Sequence, residues 1–217
     1  MVGVINVGLL KSEWVVKRSV EWYNKGRVGI ESLEGFVRQI IGWREFCRFV
    51  YVYEYDEIVK SNFFKAENKI DKRWYDGDFG ILPLDNTIKK AFKIGYLHHI
   101  ERLMIMANFM CLYGLKPVDG YRWFMEFAVD SYDWVMVYNV YSMGLYADGG
   151  LSTTKPYISS SNYILKMSNY KKGEWSDKWD AFYWSFIGKH SSKIKRMGRL
   201  SFQVKFYDKK VIKNVER

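Results

Sequence analysis

Apolar side chains recur every three or four residues along most of this chain, and strand-like alternation is essentially absent. That period is the signature of amphipathic helices, and it sets the expected fold class as mainly α. The longest run spans residues 30 to 53, where Leu33, Phe36, Val37, Ile40, Trp43, Cys47 and Val50 fall at helical spacing. Ser32 is the expected N-cap of that helix. A polar, aromatic-bearing connection follows from about Asp56 to Pro83, broken by the turn pair Asp76-Gly77. Asp85 or Asn86 then caps a helix running toward Gly95, and a second helix carries His98 through Leu112 and ends at Gly114. Pro117 suits the first turn of the next helix, which includes Trp123, Phe124 and Phe127. From about Asp130 to Ser161 regular periodicity fails. Loops of that length are uncommon inside compact domains and are often functional. This one holds the backbone-shaping residues Asn139, Gly144, Asp148, Gly149, Gly150 and Pro156. Helical spacing returns with Tyr163, Ile164 and Met167, then with Trp179, Phe182, Tyr183 and Phe186.

A length of 217 residues suffices for one domain with its own core. With 48% hydrophobic and 18% aromatic residues and only three prolines, disorder is excluded and aromatic rings are expected to do much of the packing. No apolar run approaches the roughly 20 residues that span a bilayer, and the N-terminus has no signal-peptide pattern. Cys47 and Cys111 each sit inside an apolar helical pattern and are expected to be buried free thiols. A reducing intracellular compartment is the default that follows. Much of the net charge of +10 lies near the C-terminus, where Lys189, Lys193, Lys195, Arg196, Arg199, Lys205, Lys209, Lys210, Lys213 and Arg217 face only Asp208 and Glu216. A solvated basic tail and a phosphate-attracting surface both fit that cluster.

The residues able to carry chemistry come in a fixed order. Tyr96-Leu-His98-His99-Ile-Glu101-Arg102-Leu-Met puts two adjacent histidines on an apolar helix, with an arginine one helical step on. Asp133-Trp134-Val-Met-Val-Tyr138-Asn139 and Tyr146-Ala-Asp148-Gly149-Gly150 follow. Further segments are Asn6-Val-Gly-Leu-Leu10, Gln39-Ile-Ile-Gly-Trp43-Arg44-Glu45-Phe, Thr154-Lys155-Pro156-Tyr157-Ile and Asn162-Tyr163-Ile-Leu-Lys166-Met-Ser-Asn-Tyr170. In this order they resemble the C-terminal, FAD-binding helical domain of the photolyase and cryptochrome superfamily. The likeness is greatest to the bacterial photolyase-related branch, which includes the iron–sulfur (6–4) photolyases.

The resemblance implies FAD as cofactor and DNA as partner. In the family an Arg–Asp pair lies against the isoalloxazine and an Asn faces N5, roles that fall here on Arg102, Asp133 and Asn139. A polar group and a carboxylate-paired cation beside the ring set a flavin's protonation and potential. His99 matches the histidine that moves a proton in (6–4) repair, work suited to a side chain with an ordinary pKa near ~6.5. For His98 the expectation is a satisfied core histidine. Trp43, Arg44 and Glu45 match a helix that meets both flavin and damaged base. An indole can stack on a flipped pyrimidine dimer and a guanidinium can hold phosphate. Asn6 and Gln39 fall in matching cofactor-binding segments, Asp148 and Gly149 would shape backbone near the cofactor, and Trp134 matches an electron relay. Each has a plainer alternative: a surface ion pair for Arg102, a turn for Asn139, a helix stripe for Trp43 and Arg44, and core packing for Trp134.

The chain also departs from the family. The iron–sulfur branch has Cys-x-x-Cys where this chain reads Met167-Ser-Asn-Tyr170-Lys171-Lys172-Gly173-Glu174-Trp175, so no cluster is expected. Relatives place a Ser/Thr-rich phosphate loop before the Asn-x-Gly-Leu-Leu motif, whereas only Met1-Val-Gly-Val-Ile precedes Asn6. The loss of such charge-assisted hydrogen bonds leads to the expectation that a separate chain supplies the antenna domain and phosphate loop. Tyr138 and Ser142 replace a family Pro and Gly, and Ala107 replaces a Gly. Tyr138 is expected to crowd the flavin-facing loop. The expected organisation is a partial FAD-binding helical domain over 1–190 and a basic extension over 191–217. Three accounts fit: a subunit of a split photolyase repairing pyrimidine dimers or (6–4) photoproducts, a non-catalytic nucleic-acid-binding remnant, and a cryptochrome-like light sensor.

Overall fold

The computed structural model describes residues 2–207, apart from the side chains of Val2 and Arg199. Among the described residues there is no strand, and one isolated bridge joins Asn68 to Leu115. Helices α1 (Val2–Asn6) and α2 (Ser12–Asn24) lead into α3, one unbroken run over 30–60. Its middle, Arg38–Arg44, is wound as a π-helix between α-helical Ile30–Val37 and Glu45–Lys60. Gly29 is the N-cap, and the expected cap Ser32 lies inside the first turn. The helix also outruns its expected end, because fully buried Ile58 carries the apolar stripe of Cys47 and Val50 onward.

After α4 (Arg73–Asp76) the chain turns at Gly77, whose φ is +63° and where a Cβ would lie 2.7 Å from the Asp85 carbonyl oxygen. Glycine is required there. Asp85 does not cap α5 (Leu82–Ile94) from outside. It sits one turn in, and its carboxylate accepts from the backbone N–H groups of Phe79 (2.8 Å) and Ile81 (3.0 Å). Helix α6 spans 99–113, π-wound over Glu101–Ala107, and ends at left-handed Gly114 as expected. Helix α7 (Pro117–Phe127) starts on its proline, also as expected.

The largest difference from the sequence expectation comes next. Residues 133–144 are not irregular but form α8, with α-helical Asp133–Met136 followed by π-helical Val137–Gly144. A π-helix bonds i to i−5, as Leu145 N–H does to the Val140 carbonyl (2.9 Å), so its apolar spacing is invisible to a 3.6-residue period. Irregular chain persists only to Ser160, before α9 (Ser161–Met167) and α10 (Glu174–Lys189). Beyond them lie α11 (Ser191–Ile194), a 3-10 turn at Gly198–Leu200 and helical residues 201–207. Ile194 and Val204 are buried in the main core, so the described part of this basic stretch packs onto the domain. Lys209, Lys210, Lys213 and Arg217 lie outside the described residues, with Asp208 and Glu216.

Aromatic rings build the core. Fully buried Phe109 touches the rings of Trp74, Phe79, Tyr113, Trp179 and Phe182 at centroid distances of 5.1–6.2 Å. Two of the buried indoles satisfy their N–H groups on backbone: Trp123 donates to the Trp74 carbonyl (2.7 Å) and Trp179 to that of Ser159 (3.1 Å). The thiols of Cys47 and Cys111 are free and buried, and burial pushes both up to about 12. A small satellite cluster of Ile5, Val15 and Ile40 holds α1, α2 and the start of α3.

Helices α6 and α8 meet where both are π-wound. A Cβ on Gly144 would fall 2.9 Å from the Ala107 Cβ and 3.0 Å from the Asn139 carbonyl oxygen. Gly144→Ala should therefore destabilise the fold by about 1–3 kcal/mol, the range for overpacking. Ala107→Gly in the same chain should recover part of that loss. Urea denaturation measures both, and an unchanged midpoint for Gly144→Ala would contradict the packing.

Candidate functional site

The three π-wound stretches face one hollow of about 170 Å³. Helix α3 contributes Trp43, α6 contributes His99, Arg102, Leu103 and Ala107, and α8 contributes Asn139, Val140 and Met143. Asn6 enters from the end of α1, and Asp130 from the turn before α8. Of the expected site residues, Asn6, Trp43, His99, Arg102 and Asn139 thus share a wall. Gln39, Arg44, Asp133, Trp134, Asp148 and Gly149 do not line it.

Arg102 has a different partner from the one expected. Its Nη2 donates to Asp130 Oδ1 (2.8 Å), its Nε to the Leu97 carbonyl (2.6 Å), and its guanidinium lies 5.2 Å from the Tyr96 ring centroid. The turns on either side explain the choice. Val129 N–H bonds the Gly95 carbonyl (3.0 Å), and a Cβ on Gly95 would come within 2.9 Å of Val129. This close approach sets Asp130 directly over the arginine. Asp133 instead accepts from two phenols, Tyr51 (2.6 Å) and Tyr121 (2.5 Å). Those bonds tie α3 to α7 and α8. The Asp133 hydrogen bond, then burial, pushes the Tyr51 phenol up to about 12, while burial first and Asp133 second raise Tyr121. Asp130 was missed in the sequence because Asp133 adjoins the Trp134 motif, and no spacing rule separates the two carboxylates.

Arg44 is also committed within the protein. It donates to Asn6 Oδ1 (2.6 Å) and to the Ile5 carbonyl (3.0 Å), and its guanidinium lies 4.5 Å from the Trp134 ring centroid. Asn6 in turn donates to the Asp130 carbonyl (3.3 Å). Asn6 is therefore the link between the satellite helices and the Arg102–Asp130 pair. Trp134 lies against Arg44 and does not line the hollow, whose aromatic lining is Trp43, Tyr96 and Phe124, the last packed on buried Trp123 at 5.2 Å. Gln39 is exposed on α3.

Asp148 and Gly149 shape a loop elsewhere. Asp148 accepts from Gly150 N–H (3.0 Å) and from Ser152 N–H (3.1 Å) and Oγ (2.6 Å). At Gly149, with φ of +67°, a Cβ would strike the Phe63 ring at 2.6 Å. Tyr138 turns away from the hollow and packs edge-on against Phe46 at 5.3 Å, so it does not crowd the wall.

Two features of the hollow bear on chemistry. Asn139 Oδ1 is buried without a hydrogen-bond partner, a state that costs about 1–3 kcal/mol until something pairs with it. His99 stands at the mouth, open to solvent on one side. Partial burial, then the charges of Arg102 and His98, lower its pKa below the ordinary 6.5. His98 is a helix cap and not the expected core residue: its Nδ1 accepts from Glu101 N–H (3.3 Å) while Glu101 accepts from His98 N–H (3.1 Å), and its side chain is 55% exposed.

His99 and Leu103 also line a groove of about 1130 Å³. Lys155, Lys166 and Arg196 border it with Tyr146, Tyr157, Tyr163 and Tyr183, and no carboxylate is among the described lining residues. Tyr146 and Tyr183 are buried, so the groups this groove offers to a single nucleic-acid strand are the three cations and the half-buried rings of Tyr157 and Tyr163.

Two outcomes are expected of this geometry. A double-mutant cycle between Arg102→Ala and Asp130→Ala, read by urea denaturation, should give a coupling of about 0.5–3 kcal/mol. The cycle between Arg102→Ala and Asp133→Ala should give almost none, and the reverse ranking would contradict the pairing. The fold favours neutral His99, so its contribution to stability is complete above pH 6.5 and declines as the pH falls below that value. Arg102→Ala should raise its midpoint in an NMR titration, and a lowered midpoint would contradict the stated cause.

No protein-family model matches the chain. It is 37% identical over 207 residues to a (6-4) photolyase of Agrobacterium fabrum, an alignment covering 91% of this chain and 41% of that relative. It is also 60% identical over 98 residues to an uncharacterized protein of Acanthamoeba polyphaga mimivirus, covering 45% of this chain and 80% of that protein. A second uncharacterized protein of the same virus is 36% identical over 92 residues, covering 42% of this chain and 70% of that protein. The chain thus spans less than half the length of the photolyase it matches. Nine-tenths of this chain is thus similar in sequence to part of a (6-4) photolyase, and its described residues form a helical fold without strands.

Proposed function

We propose that the hollow takes the isoalloxazine ring of FAD, and that the chain is the flavin-holding part of a photolyase-related system for light-driven repair of ultraviolet-damaged DNA. The lesion would be a pyrimidine dimer or a (6–4) photoproduct. The observation that carries this is the unpaired Asn139 amide oxygen in a wall shared with Arg102, Asp130 and His99. A volume of about 170 Å³ exceeds the ~150 Å³ cavity that admits benzene. It falls short of the ~300–1,000 Å³ that buries a drug-sized ligand. The hollow takes part of a flat ring system, and the rest of the isoalloxazine and of the dinucleotide must extend through its open side.

The bound flavin would supply light-driven electron transfer to the lesion. The chain's own residues do the rest. Asn139, turned either way, offers a donor or an acceptor to the ring edge. The Arg102–Asp130 pair holds a compensated positive charge beside it, Trp43 closes one wall, and the apolar side chains exclude water. His99, neutral at pH 7, stands between hollow and groove, where it can pass a proton to or from a nucleotide held by Lys155, Lys166 and the rings of Tyr157 and Tyr163. The pyrophosphate needs further donors, because Arg102 is already committed to Asp130. A separate chain carrying the antenna domain and a phosphate-binding loop would supply them. No iron–sulfur cluster accompanies this reading, since Cys47 and Cys111 are buried in different helices.

A second reading, nucleic-acid binding without catalysis, is favoured by the groove, which is complete without any cofactor. FAD titration separates the two. A yellow protein with saturable flavin binding is expected, and a protein that stays colourless yet binds DNA would favour the second reading. In a flavin-loaded complex His99→Ala should abolish (6–4) repair and leave the flavin spectrum unchanged. Undiminished repair would remove His99 from the reaction.

A further inference from the structure

The groove at His99 has a neighbour. A second hollow, of about 450 Å³, shares Tyr146, Arg196 and Met197 with that groove and adds Phe63, Gly149 and Lys193. Tyr146 is buried, so the wall common to the two spaces is fixed. Phe63 is held as firmly. Its N–H bonds the Ala147 carbonyl (2.8 Å), and its ring meets that of Tyr146 edge-on at 5.8 Å. The ring also packs where a side chain on Gly149 would collide with it. Lys193 in turn donates to the Phe63 carbonyl, and its ammonium lies 4.6 Å from the Phe63 ring centroid. The fold itself therefore places this cation at the hollow.

Nothing acidic answers these charges. No carboxylate is among the described lining residues. Asp148, next to Gly149 in the chain, is taken up by the N–H groups of Gly150 and Ser152 and by the Ser152 hydroxyl. The Arg196 side chain is exposed and has no partner among the described residues. Cations gathered on one concave wall build a positive potential that draws anions. His190 registers it: burial first, then the charges of Lys189 and Lys193, push its pKa down to about 4. Lys155 and Lys166 border the groove, Lys193 the second hollow, and Arg196 both. An anion that uses all of them must carry repeated phosphates through two joined spaces, which a single phosphate or a free nucleotide does not. We infer that Lys193 and Arg196 hold backbone phosphates of a DNA strand where it leaves the His99 groove, so that the strand occupies both spaces. This rests on the nucleic-acid part of the function proposed above and not on the flavin.

The test is fluorescence anisotropy with a single-stranded oligothymidylate of about eight nucleotides, within the ~4–16 that one single-strand site covers. Arg196→Gln should weaken binding about fivefold and lower the slope of log affinity against log salt by about 0.7, the value of one phosphate contact. Lys193→Gln, which keeps a donor for the Phe63 carbonyl, should do the same. Lys25→Gln removes an equal charge from an exposed position just after α2 and should change nothing. Circular dichroism checks that each variant is folded. Native affinity in both Arg196→Gln and Lys193→Gln would overturn the inference, and so would an equal loss in Lys25→Gln, which would reduce the effect to net charge. Displacement of the strand by inorganic phosphate at matched ionic strength would assign the hollow to a free anion and overturn it too. Lys155→Gln and Lys166→Gln are measured alongside. Losses confined to those two sink this inference alone, whereas a native chain that binds no strand sinks the groove reading with it.

Discussion

A hollow exists inside this helical bundle because three helices are wound wider than α around the same space. Arg38–Arg44, Glu101–Ala107 and Val137–Gly144 carry Trp43, Arg102 and Asn139 respectively, and each of these side chains lines the hollow. A π turn shifts the register of everything after it, and such turns are frequent at functional sites. Its effect here is to turn side chains from consecutive backbone into a shared wall that regular α-helices would space differently. The missing methyl at Gly144 fixes how closely two of these stretches approach. Without that clearance α6 and α8 would be pushed apart and the hollow would change shape.

Around the hollow runs a polar network whose members satisfy one another. Arg102 holds Asp130, the Asp130 backbone holds Asn6, Asn6 holds Arg44, and Arg44 lies against Trp134. Partly buried ions of this kind persist when hydrogen bonds hold them, and Arg102 and Arg44 each donate two here. Asn139 is the exception. Trp74 Nε1, Ser142 Oγ and Thr153 Oγ1 are likewise buried without a partner among the described residues, and of the four groups Asn139 is the one that lines the hollow.

Much of this was legible in the sequence, and the failures have physical causes. Gly95, Gly114 and Pro117 mark helix limits because left-handed backbone and a fixed φ leave little choice, and they lie where expected. The stretch from Asp130 to Gly144 looked irregular because a π period does not register against 3.6 residues. Asp133 was the expected partner of Arg102, and Asp130 takes that place because the contact that positions it, Gly95 against Val129, joins residues far apart in the chain. His98 looked like core from its apolar neighbours, yet the helix begins one residue later and leaves it as the cap. Asp148 and Gly149 have the composition of a cofactor loop. Their geometry serves Ser152 and Phe63.

The unpaired Asn139 amide oxygen is what the hollow offers a flavin ring, and a ring without a tail isolates that contact. Lumiflavin, which lacks ribityl, phosphate and adenine, should show saturable fluorescence quenching with the native chain. Asn139→Leu, which removes the amide at similar volume, should weaken that binding by about tenfold, the equivalent of ~1.4 kcal/mol. Unsaturable quenching, or equal affinity in the two proteins, would contradict the claim that the hollow was shaped to hold such a ring.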